Sequence, residues 1–336
     1  MKTIKSVFTV VVILAFGACQ QPQPQTECPP VPLTDLFLTS MQLKPDKGAV
    51  YTEGSYKAIQ ETFYNALIKK GLSDSIKFID PLSSPLDDEQ LVLTKAEIER
   101  KLIRVDTVYI ENPNPPHELS MQVTRDTMSA DLLASIRAYE KWYLTDSLKL
   151  NREVTGYLPV CEVIDAATGE VRGWMPLFNV SPETKGERKK VATIQYQQPV
   201  KSDLRNWYHN NLEISARHKL FNPIIKAAWN GAIPVYDNPE GTALTTEKLR
   251  ENLCFVDTMY IENPMPPYDL QMTVVEECQS EFYDQVDAIA LVQDVYVDDN
   301  LALSFEVKWY APVMNVYNRM TGKPTGETRT MFWVKN

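Results

Sequence analysis

Three histidines, five cysteines and 44 carboxylates are the groups from which this 336-residue chain could build a reactive centre. His117, His209 and His218 have no glutamate or cysteine beside them at metal-ligand spacing. The chain has no G-x-S-x-G nucleophile elbow, no phosphate-binding loop and no H-E-x-x-H helix. Asp87, Asp88 and Glu89 are of the type that binds calcium, but three acids in a row read more simply as a solvated loop. Glu153 and Glu306 fall at matching places in two strand-like segments, which suggests structural carboxylates paired with a lysine or arginine. The sequence therefore assigns no catalytic residue, no metal ligand and no cofactor. A net charge of −10 excludes nucleic acid as a partner, because phosphate contacts need a basic surface.

The cysteines carry a different chemistry. Residues 1–18 have Lys2 and Lys5, an apolar run from Val7 to Phe16, and small residues before Cys19. This is an export signal, too short to span a bilayer. Cleavage before Cys19 leaves a lipidated cysteine, although Phe16 stands where such sites prefer leucine. Residues 19–33 are rich in proline and glutamine and read as an extended tether. The other cysteines are Cys28, Cys161, Cys254 and Cys278, and an oxidising compartment permits disulfides among them.

Positioning these groups falls to a repeated segment. Val105–Val123, "VDTVYIENPNPPHELSMQV", recurs at Val256–Val274 as "VDTMYIENPMPPYDLQMTV", with 13 of 19 positions identical. Three flanking blocks recur in the same order. Leu67–Asp80 matches Ile224–Asp237, Leu93–Leu102 matches Leu244–Leu253, and Tyr143–Val160 matches Tyr296–Val313. The expected organisation is two tandem homologous modules, 34–182 and 204–336, joined by a polar linker, 183–203. Each module is long enough for its own core. The expected fold class is α+β, with short helices followed by a mostly antiparallel sheet. In the first module, apolar spacing predicts a helix over Tyr56–Gly71 that ends at Gly71. Thr94–Glu97 reads as a capping box. Val105–Ile110 and Leu119–Val123 predict a hairpin broken by "ENPNPP", and Ile136–Leu144, Leu148–Ile164 and Val171–Val180 predict further strands. The second hairpin centres on residue 266, which puts Cys254 opposite Cys278. Their counterparts, Ile103 and Thr127, require no bond, so both a disulfide and two reduced thiols stand.

The tips are the candidate interaction site: Tyr109, Glu111, Asn112 and Pro113 in the first copy, and Tyr260, Glu262, Asn263 and Pro264 in the second. Loops normally drift faster than cores, yet this one kept its sequence. Prolines fixing a rigid turn explain that; so does a docking surface whose ordering cost proline lowers. Two copies on one tether give avidity, and head-to-tail contacts between copies would give self-association.

Ile136–Val180 has Trp142, a turn at Asp146, "GYLPV" at Gly156–Val160, "DAATGEVRG" at Asp165–Gly173 and "PLF" at Pro176–Phe178. In that order these resemble the gliding-motility protein N family (GldN/PorN) of the type IX secretion system of Bacteroidota. "LFNPIIKAAWNGAIPVYD" and "MFWV" of the second half resemble the same family. Two copies, Cys19, and Asn179 in place of the family's tryptophan are departures from its pattern. The resemblance implies a non-enzymatic scaffold lipid-anchored to the outer membrane on its periplasmic side. It also implies protein partners in the secretion ring, the K-type lipoprotein and the M-type shaft protein. The alternative from the residues themselves is an envelope glycan- or peptidoglycan-binding lipoprotein, using exposed aromatics among the 16 tyrosines and 6 tryptophans. A third is a hydrolase whose carboxylates converge in a pocket.

Overall fold

Period-2 and period-3.6 burial set the elements. A computed structural model of the chain describes residues 32–33, 37–43, 53–73, 76–83, 89–114, 117, 119–165, 168–181, 186–201, 212–262, 264–265, 269–278, 286–317 and 324–336. The signal segment, Cys19, Cys28, most of the tether, Asp87, Asp88, His209 and Asn263 lie outside them. The first half of the chain runs β1 (Phe37–Gln42), α1 (Glu53–Leu72), β2 (Phe78–Ile79), α2 (Lys95–Leu102), β3 (Ile103–Glu111), β4 (Leu119–Thr127), β5 (Leu133–Leu144), β6 (Leu150–Ile164), β7 (Val171–Pro176) and β8 (Asn179–Val180). It continues with β9 (Lys189–Pro199), α3 (Ile214–Trp229), α4 (Thr246–Leu253), β10 (Cys254–Glu262), β11 (Leu270–Cys278), β12 (Val286–Val297), β13 (Leu303–Tyr317), β14 (Pro324–Thr330) and β15 (Val334–Lys335). The class is α+β, with mostly antiparallel strands and few helices. No helix among the described residues is long and apolar enough to cross a membrane.

In α1, Tyr56, Ile59, Phe63 and Leu67 are buried at helical spacing. The helix continues one residue past Gly71, so Gly71 is not its cap. In β5, Ile136, Ala138, Glu140 and Trp142 face inward while the residues between them are half-buried. Edge-to-face contacts lock the layers: Phe37 on Trp142 at 5.0 Å and Phe63 on Tyr157 at 5.6 Å.

Two larger sheets carry these elements. One has the order β1-β5-β6-β8-β2, with β7 also on β6; the other has β14-β13-β12-β9, with β15 also on β13. Each is built on a long hairpin, β5–β6 or β12–β13. Two further hairpins, β3–β4 and β10–β11, form two-stranded sheets of their own.

Two expectations are corrected. The segment 183–203 is not a linker along its described length, because Lys189–Pro199 is β9, paired along β12. Lysines and glutamines gave it a linker's composition, but Ala192, Ile194, Tyr196 and Gln198 alternate inward. Nor do the halves keep separate cores. One cluster joins Phe37, Phe63 and Trp142 to Ile194, Phe221 and Tyr310. β6 packs against β13, and polar contacts stitch the seam. Tyr56 Oη donates to Gln195 O at 2.7 Å, Ser40 N–H to Gln198 Oε1 at 2.9 Å, and Tyr310 Oη to Leu148 O at 2.5 Å. Asn336 accepts from Leu150 N–H at 2.6 Å and donates to Val307 O at 3.0 Å.

Candidate functional site

Each small hairpin is launched by a capped helix. Thr94 Oγ1 accepts from Glu97 N–H while the Glu97 carboxylate accepts from Thr94 N–H, a complete capping box on α2. Thr245 caps α4 by accepting from Lys248 N–H. Neither helix is followed by a loop: Ile103 and Cys254 are at once the C-caps and the first strand residues. Ile98 and Leu102 anchor α2 in the core, and Leu249 and Leu253 anchor α4. The hairpins are thus arms that continue directly from helices anchored in the core by one face.

The two arms share one register. Glu111 faces Leu119 and Tyr109 faces Met121; Glu262 faces Leu270 and Tyr260 faces Met272. Leu119, Met121 and Val123 therefore occupy one face with Tyr109, and all four are exposed, Leu119 and Met121 by 68% and 63%. Leu270 and Met272 repeat that pair at 67% and 62%. Of 16 exposed large apolar side chains among the described residues, eight lie on these arms, so uncovered apolar surface is concentrated there.

At the first tip, Asn112, Pro113 and Glu111 are exposed. Asn112 Oδ1 accepts from Asn114 N–H at 3.1 Å, and His117 lies 3.2 Å from Asn112 O with its backbone in the left-handed region. His117 thus closes the turn, 3.9 Å from Glu111. At the second tip Pro264 and Met265 are exposed. Cys254 is disulfide-bonded, and the residue set opposite it in the register is Cys278.

Sequence reasoning missed a fully buried ion pair. Glu140 and Arg152, both with 0% side-chain exposure, form a bidentate pair at 2.6 and 2.7 Å. Trp142 Nε1 (2.7 Å) and Thr39 Oγ1 (2.5 Å) also donate to Glu140. Arg152 reaches across the seam to Tyr196 Oη at 2.8 Å and to Gln293 Oε1, and its guanidinium stands 4.5 Å from the Phe305 ring centroid. Burial opposes the arginine charge, but the Glu140 carboxylate and Tyr196 together outweigh it and hold Arg152 more firmly protonated than usual. Burial, offset in part by Arg152, pushes Tyr196 up to about 12. This network pins the halves together.

The carboxylates singled out in the strands each take a hydrogen bond within their own hairpin. Glu153 accepts from Tyr143 Oη and Glu306 from Tyr296 Oη, each at 2.9 Å across its hairpin. The expected cationic partner is found for Glu306, with Lys308 at 2.5 Å, while Glu153 takes the Tyr143 hydroxyl. Glu306 and Lys308 border an open cleft of about 810 Å³ that also includes Lys190, Asp294 and Trp309. Lys190 and Lys308 lie 2.8 and 3.6 Å from Asp294, so both lysines pair with that carboxylate. Burial raises the Asp294 pKa, but hydrogen bonds from Lys190 and Thr193 outweigh it and leave it below the ordinary carboxylate value. Tyr236 meets the Trp309 ring edge-on at 5.0 Å, and the Lys335 ammonium lies 5.7 Å from its centroid. Among the described residues no three His, Cys, Asp or Glu gather as a metal site would require. Cys161 is a buried free thiol, pushed up to about 12 by burial and then by Glu162.

The chain matches no protein-family model and no curated protein.

Proposed function

We propose that this chain is a non-enzymatic cell-envelope scaffold, tethered through Cys19 to the periplasmic face of the outer membrane. We read it as two tandem copies of one α+β module, resembling the ring component of gliding motility and type IX secretion. Equivalent residues make equivalent contacts. The Ile79–Val92 bridge recurs as Tyr236–Ala243, and the hydrogen bond Leu43 N–H to Ala134 O recurs as Val200 N–H to Asp287 O, both at 2.8 Å. The turn Thr145–Lys149, with Leu148 left-handed, recurs at Asp298–Ala302 with Leu301 left-handed. On this reading β9 corresponds to β1, so the second copy begins near residue 186 and not at 204.

The observation that carries the scaffold reading is the pair of arms, each with the same register and the same uncovered Leu and Met. Two equal docking surfaces on one body bind with avidity. The glycan alternative calls for a row of aromatics. Of the aromatic side chains whose exposure the structure describes, the exposed ones, Tyr109 and Trp174, stand in different sheets.

The test is affinity purification of the tagged full chain from its own envelope. The K-type lipoprotein and M-type shaft protein are expected to come with it, and to be lost when Leu119, Met121, Leu270 and Met272 are all replaced by serine. Retention on purified peptidoglycan without ring proteins would instead support the glycan reading.

A further inference from the structure

The outer half of each arm has a charge pattern as uniform as its apolar face. Tyr109–Val123 contains Glu111 and Glu118 with no lysine or arginine, and Tyr260–Val274 contains Glu262 and Asp269 with none either. Glu111 and Asp269 are exposed. The whole second arm, Cys254–Cys278, carries five carboxylates and no Lys, Arg or His. Lysines and arginines were available to the chain, which has 34 of them, but none lies in the outer half of either arm; the first tip holds His117.

Three occupants could cover an apolar ribbon of this kind, and charge separates them. An anionic bilayer is repelled by an acidic rim. A second copy's arm presents the same sign, and like charges across an interface oppose association. A protein surface with an apolar centre flanked by Lys and Arg matches in both respects. A two-stranded ribbon is marginal alone and gains most from an added strand or a facing layer.

We propose that both arms dock the same kind of partner: a protein segment whose apolar residues are flanked by Lys or Arg, so that one chain holds two. This rests on the scaffold reading and specifies the chemistry of its partner.

The probes are two synthetic strand peptides of alternating leucine, one with lysine between the leucines and one with glutamate, titrated into the purified full chain by calorimetry. The lysine peptide is expected to bind at two sites per chain and to weaken at least tenfold in 0.5 M salt; the glutamate peptide is expected not to bind. Replacing Leu119, Met121, Leu270 and Met272 by serine keeps every charge and is expected to cost at least tenfold. If the lysine peptide binds that variant unchanged, it binds by general attraction to an acidic protein and the proposal is overturned. A second variant, Glu111→Lys with Asp269→Lys, is expected to shift preference toward the glutamate peptide; no shift overturns the charge argument. Arm-dependent dimers in light scattering, or arm-dependent binding to phosphatidylglycerol vesicles, would assign the face to one of the rejected occupants. Ring proteins that still co-purify through the arms while the peptides show no charge preference would remove this inference and leave the scaffold reading standing.

Discussion

Replacing Glu140 with glutamine leaves Arg152 buried and charged with its counter-ion gone. Breaking one side of a buried pair costs about 3–5 kcal/mol, so Glu140→Gln is expected to lower the urea midpoint strongly. Replacing Glu140 with leucine and Arg152 with methionine together is expected to cost less than the sum of the single changes, because no charge is stranded. Near-additivity would show that the pair does not act as a unit. Asp294 gives a pH signature. Its folded pKa is depressed, so its contribution is present above its unfolded value of about 4 and is lost as pH falls through the lower folded value. Asp294→Asn is expected to lower Tm at pH 7 and to flatten the fall in Tm below pH 4. Cys161, which burial pushes up to about 12, holds far less thiolate at neutral pH than an ordinary thiol. It is expected to resist maleimide in the native protein and to react once unfolded. Glu153 and Glu306 were visible in the sequence because both copies keep them. Glu140 and Arg152 were not, because Gln293 and Phe305 stand at their repeat positions; the asymmetry that lets them reach across the seam hides them from a search for repeated residues.

Elements held by local chemistry were the legible ones. Thr94 and Glu97 marked the start of α2, and the prolines of "ENPNPP" marked the hairpin tip; both signals act within a few residues. β9 was not legible, since Ile194 is the one strongly apolar residue among its inward positions and alanine, tyrosine and glutamine fill the rest, turned inward by β12 and α1. Thr94→Ala is expected to cost about 1 kcal/mol, the usual worth of an N-cap. In hydrogen exchange the loss should concentrate in α2 and β3. For the second arm, Cys254→Ser is expected to speed exchange of β10–β11 amides and leave β12–β13 amides unchanged. Equal acceleration in both would mean that the arm is not an independently opening unit.

At the scale of the whole molecule, the repeat showed in the sequence and the shared core did not. A core is a matter of which faces meet, and nothing in either copy alone says that β6 packs on β13. Residues 32–182 expressed alone would uncover the buried Glu140–Arg152 pair, whose arginine meets Tyr196, Gln293 and Phe305 across the seam. That fragment is expected to lack cooperative unfolding, and a sharp two-state transition would show that the halves are separable bodies. The central claim is that this single body works by presenting two arms to protein partners. Its most direct test is photo-crosslinking in intact cells from probes placed at Met121 and Met272, with a probe at exposed Lys57 as control. Adducts with the same secretion-ring proteins from both arms, and none from Lys57, are the expected result. Arms that yield no adduct, or only what Lys57 yields, would contradict it.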